Sequence, residues 1–287
     1  MDEDRRRRFA NYLDQHPAAA EQLRKSLSHM LSQYQVADGL MAAASREIAT
    51  ASEGLLAAVS KIKLPDFSSL IREQIEDISP RNWPRPLPAI SQMEEVLEAD
   101  GIPIVHIPRA EIVQEILDAA TYYDRIKVIE HRSDDIAQDC RDALSRDFHH
   151  LLEKHAPLAR RAVDAYVDGH HEAAQALAVS VCDTYLKKLF QHTSYKKMIE
   201  KVAIDQSDDS SVGWAFNVHY ALAPGVSFLA TWTPGDGEEP PTRLSRHVSI
   251  HNATTDQMTE LNSTIAIMLA TSITIAIDYA AVKGASD

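Results

Sequence analysis

Apolar positions recur at helical spacing over most of the chain. In residues 3–63 they fall at Leu23, Leu27, Met30, Leu31 and Tyr34. This predicts two or more helices, bent or broken near Gly39 and Gly54. Their apolar face has two candidate partners, the rest of the protein and a second subunit. The pattern stops at residues 64–88, where prolines stand at 65, 80, 84, 86 and 88. Proline lacks a backbone donor and fixes its own φ, so 79–88 reads as an irregular connector and a boundary. Trp83 within it reads as an anchor on neighbouring structure, with a ligand contact as the alternative.

A helix is predicted at Ile90–Ala99. In the GIPIVHIP stretch, Ile102, Ile104 and Val105 fit one short strand near 102–106 or an extended strip. Pro108 suits the first turn of a long helical pattern ending near Asp147. The clearest helices lie between 157 and 192. One runs from Pro157 to about Asp168 and stops at Gly169. The next carries Ala174, Leu177, Ala178, Val181, Tyr185 and Leu186 among its apolar residues, a wide stripe suited to the core of a bundle. A further helix is expected near 212–231, followed by the polar loop TPGDGEEPP at 233–241. A last helix starts at Thr242–Ser245, passes His251, breaks near Thr254 and Thr255, and continues through Met258 to Ala281. The expected organisation is therefore mostly α. It comprises an N-terminal helical region with a Pro-rich connector (1–88), a helical linker region (89–147) and a C-terminal bundle (148–287).

Composition agrees with helices. The chain has 287 residues, 45% of them hydrophobic, and only nine glycines. Its net charge of −13 repels phosphate at long range, so any contact with RNA must be local. The basic run Arg5–Arg8 reads as a solvated helix end. Two cysteines make no disulfide framework, and MDEDRRRRF contains no apolar signal stretch, so a cytoplasmic protein is expected. Ile265–Ile277 is shorter than the roughly 20 residues of a membrane span and is interrupted by Thr271, Ser272 and Thr274. It reads as a buried helix.

The string with chemical content is Arg243-Leu-Ser-Arg246-His247-Val-Ser-Ile-His251-Asn252. Ser245 can cap the helix it opens. An arginine there can grip two phosphate oxygens as a fork, and a histidine can move protons near neutral pH. Together they meet the needs of metal-free RNA cleavage. A base takes the 2′-hydroxyl proton, a cation steadies the phosphoryl transition state, and an acid protonates the departing 5′-oxygen. Residues five apart differ by about 140° on a helix, so Arg246 and His251 border a groove or serve a site shared with another copy. His247 and His251 share a face, about 40° apart. Read as an HxxxH metal pair, they lack the metalloprotease glutamate, because Val248 follows His247. A structural arginine with a capping or core histidine is the plain alternative.

RHVSIH resembles the R-x4-6-H motif of the HEPN superfamily, including the polar residue right after the arginine. DGHHEAAQALAVSVCDTYLKKL resembles the early bundle helix of bacterial HEPN proteins, and the apolar helix after RHVSIH resembles the last one. The similarity covers roughly 145–287. It implies a four-helix-bundle ribonuclease that leaves a 2′,3′-cyclic phosphate, needs no metal or other cofactor, and works as a homodimer with paired motifs at the interface. Carried over, Arg246 stabilises the phosphate, His251 is the general base or acid, and His247 orients them. Asp183 is the best match for the supporting acid, with Glu172 on the same helix as the alternative. Asn252 contacts the phosphate or the base. Members act in toxin–antitoxin pairs or phage defence, which implies RNA and an antitoxin or regulatory protein as partners. Some only bind RNA or scaffold proteins. Residues 1–145 match no functional module.

The remaining candidates read as structural. His149, His150 and His155, and the pair His170 and His171, suit surface positions. Cys182 lies on the apolar stripe, and Cys140 has no basic activator beyond Arg141. No glycine-rich phosphate loop and no G-x-S-x-G elbow occurs.

Overall fold

Helix α1 (Ile90–Glu94) passes directly into a π-helical turn, Glu95–Ala99, closed by the Asp100 N–H on the Glu95 carbonyl at 2.9 Å. In the computed structural model described here, residues 79–85, 87–191, 194–203, 214–232 and 239–284 are described. They belong to one compact unit, which spans 76–204 and 211–287. The helices expected over 3–63, the basic run Arg5–Arg8 and most of the 233–241 loop lie outside the described residues.

After the π turn come α2 (Ala110–Asp118), α3 (Tyr122–His131), α4 (Ser133–Ala143) and a 3-10 turn, His150–Leu152. Then follow α5 (Ala156–Val167), α6 (His171–Leu189) and α7 (Tyr195–Val202). The last four are α8 (Trp214–Leu222), α9 (Gly225–Phe228), α10 (Arg246–His251) and α11 (Glu260–Gly284). The described part is mostly helical, and no strand occurs among the described residues.

The expected strand near 102–106 is therefore corrected. Ile102, Ile104 and Val105 are fully buried, as the apolar pattern required, but no second strand pairs with them. Their backbone is satisfied by side chains and single bonds instead. Trp83 Nε1 donates to the Ile104 carbonyl at 2.9 Å, and Asn82 Nδ2 donates to the carbonyls of Ile104 and Pro108 at 3.1 and 2.8 Å. Buried polar backbone must find partners, and the Pro-rich connector supplies them. Trp83 is thus an anchor, with its ring edge-on to Tyr220 at 5.6 Å between centroids.

Three other boundaries differ from expectation. Pro108 follows a cis peptide bond and precedes α2 rather than sitting in its first turn. The long pattern to Asp147 divides into α2, α3 and α4. Thr121 caps α3 by accepting from the Asp124 N–H at 3.2 Å, which ends the preceding run. The helix expected over 212–231 is broken at Ala223 and Pro224 into α8 and α9. Near 157–192 the expectation holds. Pro157 lies in the first turn of α5, and Gly169 takes φ 80° just past its end.

Helix α11 is the axis of the core. It packs against α6, α8, α4 and α5, and α6 packs against α5. Every residue from Asn262 to Thr274 is buried. Leu186, Ile129, Ile136, Ala159 and Val163 belong to the same cluster as Ile265, Met268 and Ile273, so residues on both sides of position 147 share one core. The polar interruptions of α11 are internally satisfied at two positions. Thr271 Oγ1 donates to the Ile267 carbonyl at 2.7 Å, and Thr274 Oγ1 to the Ala270 carbonyl at 2.6 Å. Among the described residues this is the one helix long and apolar enough to cross a membrane, and 67% of its apolar window is buried inside the protein.

Candidate functional site

One helix and the starts of two others meet at Asp183. Helix α6 buries its apolar stripe against α5 and α11, and Asp183 lies at the border of that stripe, 9% exposed. A carboxylate so placed must be paired. Its Oδ1 accepts from Arg246 Nε at 3.1 Å and from the Tyr195 hydroxyl at 3.0 Å, and its Oδ2 faces Lys187 Nζ at 2.8 Å. Lys187 stands four residues after Asp183 on α6, the helical spacing at which opposite charges meet. The carboxylate, followed by the Tyr195 hydroxyl, raises the Lys187 pKa above the usual lysine value.

Arg246 is the first residue of α10. Its guanidinium lies over the Tyr195 ring, 4.2 Å from the centroid. Asp183 takes only Nε. Neither terminal nitrogen of Arg246 forms a hydrogen bond with a described residue. Asp183 and Tyr195 therefore fix the plane of the guanidinium through Nε and its face.

Helix α10 has only six residues, too few to be stable alone. Tertiary contacts hold it. Ser245 accepts from the Val248 N–H at 3.4 Å as the N-cap, while Val248 and Ser249 point inward. Ser249 Oγ accepts from Gln175 Nε2 on α6 at 3.1 Å. Gln175 Nε2 also reaches Gln257 Oε1 at 3.0 Å, and Gln257 Nε2 donates to the carbonyls of Pro241 and Arg243 at 3.0 and 2.7 Å. Asn262 at the start of α11 donates to the Thr242 carbonyl at 2.8 Å. This buried amide network ties the approach to α10 onto α6 and α11 together.

The outer face of α10 carries His247 and His251. Their rings meet edge to face with centroids 5.1 Å apart. His247 is half-buried, and burial, then the neighbouring His251 and Arg246, lower its pKa below the ordinary histidine value. His251 and Ile250 are exposed. Asn252 closes the helix through its backbone N–H on the Val248 carbonyl at 2.8 Å, and its side chain meets no described partner. Of the two acids on α6, Asp183 stands against Arg246. Glu172 lies 11 positions earlier, about 16 Å along the axis, and is exposed.

The structure thus brings Arg246 to Asp183 and His247 to His251, with His247 in the electrostatic field of Arg246. It does not join Asn252's side chain or Glu172 to this group. Five residues of the arrangement are absent from the expectations, namely Tyr195, Lys187, Gln175, Gln257 and Asn262. Lys187 had a signal, its i+4 relation to Asp183. Tyr195 had none, because it lies eight or more positions from Lys187, Asp183 and Arg246, the residues of the site it meets. Among the described residues no three histidine, cysteine or acidic side chains converge as metal ligands. Cys140 and Cys182 are buried and free, and burial pushes the Cys140 thiol up to about 12 and the Cys182 thiol still higher. The chain matches no family model, no curated protein and no solved structure with which it was compared.

Proposed function

We propose that the protein is a metal-independent endoribonuclease of the HEPN type. The observation that carries the reading is the guanidinium of Arg246, oriented by Asp183 and Tyr195, on the short helix that also carries the His247–His251 pair. In the reaction the 2′-oxygen attacks phosphorus and its proton passes to an imidazole. The bond from phosphorus to the 5′-oxygen breaks, and a proton is delivered to that oxygen. The products are a 2′,3′-cyclic phosphate and a 5′-hydroxyl, so water is not consumed in this step. Arg246 would bear the charge that gathers on the phosphoryl oxygens. His251, open to solvent, would transfer the proton, and His247, kept neutral near pH 7 by its surroundings, would orient it. Asp183 and Tyr195 would preorganise the arginine.

In this reading the helices around α11 form the HEPN-like four-helix bundle. The chain is a cytoplasmic homodimer whose motif helices meet, and it serves as a toxin or phage-defence effector restrained by an antitoxin or regulatory protein. The test incubates RNA with the wild-type chain and the Arg246→Ala and His251→Ala variants in EDTA. Cleavage by the wild type alone, leaving cyclic phosphate ends, is the expected result. Equal cleavage by all three, or none by any, removes the proposal.

A second reading rests on the Arg246–Asp183 pair itself, in which each side chain is only 12% exposed. An arginine so engaged suits a non-catalytic HEPN-like module that binds RNA or a partner protein. It predicts a stable complex and no cleavage by pure protein.

A further inference from the structure

The acidity of the chain is not evenly spread. Against a net charge of −13, residues 187–201 carry five lysines and one glutamate. This stretch comprises the end of α6 and nearly all of α7. Met198 and Val202 of α7 are buried, and Tyr195 and Ile199 are partly buried. At about 100° per residue these four occupy one arc of the helix. Lys196, Lys197 and Lys201 occupy the opposite arc with the single acid Glu200 among them, all four are exposed, and the face keeps a net charge of +2. None of the lysines forms an ion pair with a described acid.

The lysine face is continuous with the candidate site. Tyr195, the first residue of α7, carries Arg246 on its ring and donates its hydroxyl to Asp183. Lys196 and Lys197 follow it directly. At Asp183 two cations, Arg246 and Lys187, face one carboxylate, leaving a net charge of +1 there. Screening confines such a field to about 8 Å at physiological ionic strength, so charge beyond that range contributes little to it.

We infer that the outer face of α7, continued by Lys187 and Arg246, is the track on which the phosphates of a single-stranded RNA lie as it enters the site. The inference deepens the ribonuclease reading and rests on it for the choice of RNA. A single strand is specified because a duplex holds the 2′-oxygen out of line with the departing oxygen.

The experiment uses the full chain carrying His251→Ala, so that RNA is not consumed, and a labelled oligouridine titrated by fluorescence anisotropy across a salt series. Adding Lys196→Ala, Lys197→Ala and Lys201→Ala together should weaken binding roughly tenfold and flatten the logarithmic salt dependence by about two, at about 0.7 per phosphate contact on a single strand. Lys127→Ala, on the exposed face of α3, should change neither. Equal thermal melting of the triple variant and its parent excludes unfolding as the cause, as expected for exposed side chains. An unchanged affinity and slope overturns the track, and so does failure of the parent to bind oligouridine at low salt. Equal binding of a matched polyglutamate overturns it too, because that outcome marks a surface for an acidic protein. Cleavage by the chain with its native His251 is read separately on the same RNA. Binding through the lysines without cleavage retains the track and ends the ribonuclease reading. Cleavage with the KM unaltered by the three substitutions does the reverse.

Discussion

Arg246 Nε donates to Asp183 Oδ1 at 3.1 Å, joining the first residue of a six-residue helix to the middle of a long one. Asp183 also faces Lys187 and accepts from Tyr195. Asp183→Asn keeps the shape and removes the charge. It leaves two cations at a site with little water, so the folded state should lose about 2 kcal/mol. A urea titration with unchanged slope and a lower midpoint is the expected record. On the ribonuclease reading, cleavage should also fall, because the guanidinium loses the group that sets its plane.

His106 governs a second prediction. Burial, followed by the nearby Arg146, lowers its pKa to about 4 from an ordinary value of 6.5. Its Nε2 is buried with no hydrogen-bond partner among the described residues. The unfolded chain therefore takes up the proton first as pH falls. Stability is whole above pH 6.5 and declines between 6.5 and about 4, by about 3 kcal/mol at about 1.4 kcal/mol per pH unit. His106 has φ 69°, a left-handed conformation that asparagine also tolerates. His106→Asn should flatten the acid limb of the stability–pH curve while leaving the neutral limb nearly unchanged.

The parts of this architecture legible in the chain were those with a local cause. Pro157 and Gly169 bracket α5, and the apolar stripe of α6 makes a helix whatever surrounds it. The interruption between α10 and α11 lies near Thr254 and Thr255, where polar residues break the pattern. What could not be read depended on partners far away in sequence. Ile102, Ile104 and Val105 alternate as a strand does, yet their neighbours are Trp83 and Asn82 rather than another strand. Helix α7 is short and its role depends on Tyr195 reaching residues 12 positions back and 51 positions ahead. In the candidate site, Arg246, His247 and His251 were visible as a motif. The amide network that holds them was not, because Gln175, Gln257 and Asn262 carry no spacing rule.

That network yields a third prediction. Gln257 is 2% exposed and satisfies two backbone carbonyls at the approach to α10. Gln257→Met preserves volume but strands those carbonyls and removes one of the three acceptors of the Gln175 amide. A loss of about 3 kcal/mol is expected. Gln175→Met should cost a similar amount, and the double variant less than the sum, since each single change already breaks the shared bond. Chemical denaturation of the three variants gives the cycle directly.

The two thiols offer a simpler check. Cys140 and Cys182 are fully enclosed, and burial suppresses their thiolates. Neither should react with a thiol reagent at pH 8 in the native chain, and both should react once denaturant is added. Fast labelling of Cys182 in the native state would mean that α6 does not lie against α11 as described.

Helix α11 meets α4, α5, α6 and α8, all of which precede it in the chain. During translation those four helices leave the ribosome before the helix that covers them, and the faces turned to α11 stay uncovered until Glu260–Gly284 has followed. Completion of the fold is thus coupled to the emergence of its final described helix. A nascent chain arrested before residue 260 should be held by chaperones and cut readily by proteases, whereas the chain released with Glu260–Gly284 should resist them.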